Sequence, residues 1–383
     1  MPQSERSNNS NKMEFQLLLP LPLVVWLALA FSPSFTPVRC QTVSCNLGTS
    51  VRQKRIVIRS PATGELAKLD SCQYRVAPWS SQVCQVRVDF ERLDLPQPQL
   101  NATTQLLECR AFVQIQRFRL CGRSNGQHLY FPLRRGQELQ LLFRLASGLS
   151  GQSSWQLTLT QLECPLESAA VATRRPAVQL PTVRPILPFL GNLLPRTIFG
   201  GQSGLGSGSG PAAQLIQSLT SPSMADLELL APLGCDQYFR TQTGGIVSFN
   251  FAGGIYMPST RYSICIKGAA DDEIRYKIDH FALSKANSDA PGPAYDTDCR
   301  STVKTTGRVS DYLSIPNAFM VSRPELQASF YCGSNLSGQE LVARPPFVMH
   351  FSSDAQSSAS ETGFQLTYAV RQARTEQPEQ TEL

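Results

Sequence analysis

The residues best equipped for chemistry in this 383-residue chain are its eleven cysteines, which can bind metal, act as thiols or pair as disulfides. No two have the Cys-x-x-Cys spacing of a zinc site or redox motif, and only three histidines, His128, His280 and His350, exist to complete a metal set. A serine hydrolase needs a serine on a tight, glycine-flanked turn with a histidine within reach. None of the three has that setting. His280 falls on the strand face of Ile278, His350 lies opposite Met349 and Phe351, and His128 sits in Asn125-Gly126-Gln127-His128, which reads as a loop. His-Glu-x-x-His and phosphate-loop patterns are missing. The cysteines therefore read as disulfides and the chain as a non-enzyme.

Charge offers a second chemistry. Residues 45–164 hold 15 Lys and Arg to 8 Asp and Glu, a balance of +7, whereas residues 235–370 hold 11 to 13, or −2. Arginine dominates the first block, with Arg87, Arg92, Arg117, Arg119, Arg123, Arg134 and Arg135 at or near strand ends. Guanidinium forks suit sulfate, phosphate and carboxylate, so these positions point to an anionic extracellular partner such as a sulfated glycan, against the alternative of a merely solvated face. Arg52-Gln53-Lys54-Arg55 has the form of a proprotein-convertase site, with the start of an edge strand as the alternative.

Compartment follows from the N-terminus. After Lys12, the run Leu17 to Phe31 is apolar apart from Pro20 and Pro22, too short and too proline-broken for a spanning helix. A cleaved secretory leader over residues 1–40 fits better. Cleavage after Ala30 or after Cys40 is possible, and removing Cys40 leaves ten thiols, so the mature chain is expected to begin at Gln41. Secretion makes Asn101-Ala102-Thr103 and Asn335-Leu336-Ser337 glycan acceptors, and compartment excludes nucleic acid.

The elements that must position these residues are strands. Val86, Val88 and Phe90 alternate with Gln85, Arg87 and Asp89, and Leu139, Leu141, Phe143 and Leu145 repeat the period of two, as do Trp155, Leu157 and Leu159. In the second block Ile274, Tyr276 and Ile278 do the same, then Phe347, Met349 and Phe351, then Phe364, Leu366, Tyr368 and Val370. Short strands without a helical period predict an all-β protein of antiparallel sandwiches. Between the blocks, residues 165–234 are proline-rich and then Gly/Ser-rich, a long flexible linker. Its apolar pieces, Ile186 to Leu194 and Leu227 to Leu233, either dock on a domain or partner or stay without fixed structure. Residues 371–383 read as a disordered acidic tail.

Residues 235–370 resemble a CUB domain, on Cys235 and Cys265, then Cys299 with Asp311-Tyr312-Leu313-Ser314-Ile315, then Tyr331-Cys332-Gly333, and a close from Phe351-Ser352-Ser353-Asp354 to Gly363-Phe364-Gln365-Leu366-Thr367-Tyr368. Residues 45–164 look like a divergent second copy, similar to tandem CUB-like secreted proteins of arthropods, on Ser60-Pro61, Cys72-Gln73-Tyr74-Arg75-Val76, the Val83 to Phe90 segment and Leu120-Cys121-Gly122. The likeness implies Cys235–Cys265 and Cys299–Cys332 in the second block. It implies Cys45–Cys72 and Cys109–Cys121 in the first, with Cys84–Cys164 left as an extra bridge.

Many members bind calcium through a glutamate and two aspartates, which singles out Asp311 and Asp354 here. The glutamate's place falls near Leu283-Ser284-Lys285, where a lysine opposes a cation, so the alternative is two turn-capping aspartates and no cofactor. Arg110 and Ala111 stand where the first block would need its aspartate, so no calcium is expected there. The resemblance implies a secreted binding or adhesion protein that recognises an extracellular protein or anionic glycan. Two sandwiches on a flexible tether would add avidity. The alternative function is an accessory or regulatory subunit of an extracellular protease.

Overall fold

The computed structural model describes residues 42, 43, 45, 48, 50–146, 150–165, 224–284, 294, 295, 299, 311–356 and 360–372. The leader with both cleavage positions, the linker from 166 to 223, Lys285 and the tail from 373 lie outside the described residues. Among the described residues no helix is long and apolar enough to cross a membrane.

The first block supplies β1 (Thr42–Val43), β2 (Arg55–Arg59), β3 (Ser71–Val76), β4 (Val83–Asp94), β5 (Gln99–Leu100), β6 (Leu107–Glu108), β7 (Phe112–Ile115), β8 (Phe118–Leu120), β9 (Gln127–Pro132), β10 (Leu139–Arg144) and β11 (Ser154–Glu163). One sheet runs β1-β2-β11-β4-β9 and a second β3-β10-β7-β8, with β5 and β6 as a separate hairpin. Alternation decides which side chains fill the space between the two sheets. Val86, Val88 and Phe90 meet Leu139, Leu141 and Phe143 in one buried cluster. Across the layers Phe143 stacks on Trp155 at 4.0 Å between centroids, and Phe118 meets Phe131 edge-on at 5.9 Å. The Trp155 indole N–H finds the Tyr74 hydroxyl at 3.3 Å, which leaves that buried donor paired.

The second block supplies β12 (Gln237–Phe239), β13 (Thr243–Val247), β14 (Arg261–Ile266), β15 (Asp272–Ala282), β16 (Ala294–Tyr295), β17 (Tyr312–Met320), β18 (Arg323–Cys332), β19 (Glu340–Ala343), β20 (Val348–Ser352) and β21 (Gly363–Gln372). The order β12-β14-β20-β17-β19-β15-β21-β13 turns a corner inside β17. Tyr312–Ser314 pair with β20 and Ala318–Met320 with β19, and the change falls at Pro316 and at Asn317, whose φ is 54°. Proline cannot donate to a ladder, and a left-handed residue bends the strand, so one strand serves both layers. Phe351 of β20 then faces Phe364 of β21 at 5.6 Å. A bulge between Ile278 and His280 corrects the sequence expectation for His280. The extra residue returns Phe281 to the core and leaves His280 half-buried, bonded to Thr362 Oγ1 at 2.7 Å.

Five disulfides join Cys45 to Cys72, Cys84 to Cys164, Cys109 to Cys121, Cys235 to Cys265 and Cys299 to Cys332. Cys84–Cys164 ties the start of β4 to the residue after β11. Of the convertase-like run, Arg52 to Lys54 precede the strand and only Arg55 belongs to it. Arg55 opens β2, which lies between β1 and β11, and the Gln53 and Lys54 carbonyls accept bonds from Gln161.

The two blocks meet along a polar seam. Asn250, fully buried with φ of 63°, plugs into the first block: its Oδ1 accepts the Arg123 amide at 2.6 Å, its Nδ2 reaches Gln97 Oε1 at 2.8 Å, and its amide donates to Ser124 Oγ at 3.1 Å. The plug fits because Gly122 has no side chain, since a β-carbon there would collide with the Asn250 carboxamide. Further along, the Tyr130 amide donates to the Asp236 carbonyl at 2.8 Å and the Leu107 amide to the Ala355 carbonyl at 2.9 Å. Phe90 and Phe249 touch edge to face at 6.4 Å, so one apolar cluster runs through both blocks.

His128, expected in a loop, lies in β9 with Nε2 3.1 Å from the Tyr238 amide. Burial, with the Arg87 cation second, holds its pKa down at about 4, so the ring is neutral at physiological pH. Of the apolar Leu227 to Leu233 piece, Leu229 to Ala231 dock while Leu227 and Leu233 stay exposed. The piece begins inside a helix over Met224–Leu229, Ala231 exchanges two hydrogen bonds with the Gln85 side chain at 2.8 and 3.0 Å, and buried Asp226 meets Lys54 at 2.8 Å. Blocks that share a seam are not the independent modules that the avidity argument requires.

Asn250→Ala removes the plug and strands polar groups at a buried contact, at a cost of roughly 1–3 kcal/mol. Calorimetry should show a melting midpoint several degrees below wild type. A variant melting with wild type would contradict the plug.

Candidate functional site: a basic cleft at the seam

The blocks also part to leave a cleft of ≈ 920 Å³, within the usual size of a ligand site. Its first wall is β8 with the β5–β6 hairpin, and its second is the start of β14 with the turn at Ser353 to Ala355. Successive strand residues point to opposite faces, so in β8 buried Phe118 enters the core and exposed Arg119 faces outward, while exposed Arg117 stands in the turn just before the strand. Each guanidinium lies over a ring, Arg117 over Phe118 at 4.6 Å and Arg119 over Phe112 at 4.3 Å. Stacking limits their rotamers and leaves the N–H edges open for hydrogen bonding.

Arg117 spends part of its capacity on Asp236, at 2.5 Å. Asp236 is otherwise held by the Ser263 amide at 2.8 Å, so this arginine is a strut of the seam. Arg119 and, across the cleft, exposed Arg261 make no ion pair among the described residues. The carboxylates lining the same cleft are engaged locally: Glu108 with the Asn101 amide at 3.1 Å, and Asp354 with the Gln356 amide at 2.8 Å.

The structure thus gathers Arg117 and Arg119 from the sequence set and adds Arg261, which charge counting passed over because it stands in the acidic block. Arg87 is corrected: it is committed to Asp89 at 2.7 Å and to the Tyr130 hydroxyl at 3.1 Å. Arg92 lies in β4 of the other sheet, and Arg134 and Arg135 in the β9–β10 turn, away from the cleft. Asn101 stands on the hairpin that rims the cleft, with Oδ1 accepting the Thr103 amide at 2.9 Å, and Asn335 is exposed between β18 and β19.

Of the expected calcium pair, Asp311 is buried and Asp354 half-buried, and the two are in contact. Asp311 Oδ2 accepts the Tyr256 hydroxyl, Oδ1 accepts the Asp354 amide at 2.8 Å, and Ser284 Oγ fixes the Asp311 amide at 2.6 Å. A glutamate does join them, but it is Glu361, 3.5 Å from the Tyr256 hydroxyl, a residue no spacing argument singled out. Calcium wants six or more oxygens. Each Asp311 oxygen already accepts one hydrogen bond, and among the described residues no three His, Cys, Asp or Glu form a metal-holding group. Burial, with Asp354 and Glu361 adding like charge, pushes Asp311 up to about 7.

An acid whose folded pKa is raised binds more protons folded than unfolded between about 4 and 7, so stability falls as pH rises through that window. His128, buried neutral, titrates with the opposite sign over much of the same range, so the diagnostic quantity is a difference. The stability of Asp311→Asn relative to wild type should grow from pH 4 to pH 7, by on the order of a few kcal/mol. A difference independent of pH in denaturant titrations would contradict the raised pKa.

Residues 232–371 match the animal CUB domain model. No curated protein sequence matches the chain. Among solved structures, the CUB1-EGF-CUB2 domains of rat MASP-1 align at 13% identity over 86% of this chain and 100% of that one, with a TM-score of 0.23. The CUB1-EGF-CUB2 domain of human MASP-1/3 aligns at 13% identity over 83% and 100%, also at 0.23. The MASP-1 CUB2 domain bound to Ca2+ aligns at 17% identity over 35% and 98%, at 0.19. Residues 232–371 of this chain are thus similar to the animal CUB domain.

Proposed function

We propose that the chain is a secreted, glycosylated, non-catalytic binding protein built of two CUB-like sandwiches, and that it recognises an anionic extracellular protein or glycan in the cleft between them. The observation that carries this reading is that Arg119 and Arg261, contributed by different blocks, face one cleft without an ion pair among the described residues. Unpaired guanidiniums on disulfide-braced strands are preorganised for carboxylate or sulfate. Catalysis has no support in the three histidines. His128 is sealed in the seam, His280 bonds Thr362, and exposed His350 stands in β20. The leader and the two sequons support passage through the secretory route.

The test compares two double variants of equal charge, Arg119→Glu with Arg261→Glu and Arg92→Glu with Arg134→Glu, on immobilised heparin and on immobilised polyglutamate. The cleft pair should elute at lower salt than the control pair from at least one matrix, with about a tenfold or greater loss of affinity. Identical elution of the two variants from both matrices would remove the cleft as the binding site.

A further inference from the structure

β8 is the outer strand of the four-stranded sheet. β7 pairs with one side of it, and among the described residues no backbone hydrogen bond leaves the other. This open edge lines the cleft. An unpaired row of N–H and C=O groups is a template for a further strand, and natural folds normally blunt or cover such edges. Here the edge carries Arg119, with Arg117 in the turn just before the strand and Arg261 on the facing wall of the cleft.

We propose that the cleft binds an extended acidic peptide, which adds to β8 as a further strand and sets its carboxylates against Arg119 on that strand and Arg261 on the facing wall. This inference rests on the cleft being the binding site. The chemistry of the walls favours a peptide over a sulfated polysaccharide. Glu108 and Asp354 also line the cleft and repel a uniformly polyanionic chain, whereas a peptide places its acids at chosen positions and keeps neutral residues opposite those two. Leu106 and Pro258 give its neutral side chains an apolar wall. Main-chain pairing supplies affinity and the arginines supply selectivity, as in strand addition generally.

The experiment titrates the full chain with a fluorescent ten-residue peptide of alternating Glu and Thr. It adds two forms N-methylated along one edge or the other, a form with Lys for Glu, and a heparin hexasaccharide. The acidic peptide should bind, the Lys form should not, and one of the two N-methylated forms should lose at least tenfold, because an added strand uses only one of its edges. Arg119→Glu should weaken the acidic peptide by a similar factor. Equal binding of both N-methylated forms would overturn strand addition. Binding of the hexasaccharide without the peptide would overturn the peptide and leave the cleft standing, whereas binding of neither, with unchanged elution of the cleft variant, would remove both.

Discussion

Everything in the candidate site depends on a buried carboxamide. Asn250 can enter the first block only because residue 122 is glycine, and once inside it satisfies the Arg123 amide and the Gln97 side chain. Polar groups at a closed contact must find partners or lose on the order of 1–3 kcal/mol each, so this bond set selects one relative placement of the blocks over its alternatives. Hydrophobic contact alone is less choosy. Phe90 on Phe249 would tolerate rotation, while the hydrogen bonds of Asn250 would not.

From that placement the rest follows. The Tyr130 and Leu107 amides find carbonyls in the second block, Asp236 comes into reach of Arg117, and the gap that remains carries β8 on one side and Arg261 on the other. Neither block has the cleft by itself. The bridges Cys109–Cys121 and Cys235–Cys265 lie close in sequence to its walls, so the strands bearing Arg119 and Arg261 are braced by covalent ties. The segment from Met224 to Ala231 adds to the contact, with Gln85 bonded to both the carbonyl and the amide of Ala231.

Much of the sheet structure was legible because alternation is local. Val86 to Phe90, Leu139 to Leu145 and Ile274 to Ile278 write their burial into the sequence with a period of two. His280 escaped because a bulge adds one residue and reverses the parity, which no propensity announces. The seam escaped for a different reason. Asn250 and Gly122 lie 128 positions apart and look like ordinary turn residues, and their complementarity exists only after both blocks have folded. Charge counting found Arg117 and Arg119 but kept Arg87, because a linear count cannot see Asp89 and Tyr130 closing on it. It passed over Arg261 because block totals hide a single cation on the right wall. Glu361 was missed because the CUB likeness directed attention to the end of β15, whereas the chain brings its acid from the turn before β21.

Hydrogen exchange at single amides tests the central claim most directly, since the Arg123, Tyr130 and Leu107 amides find their acceptors in the other block. The account predicts that all three are protected to the level of core strand amides in the intact chain. Exchange of these three at the rate of open loops, with β4 and β15 still protected, would mean that the blocks do not share a seam, and the cleft would have no walls.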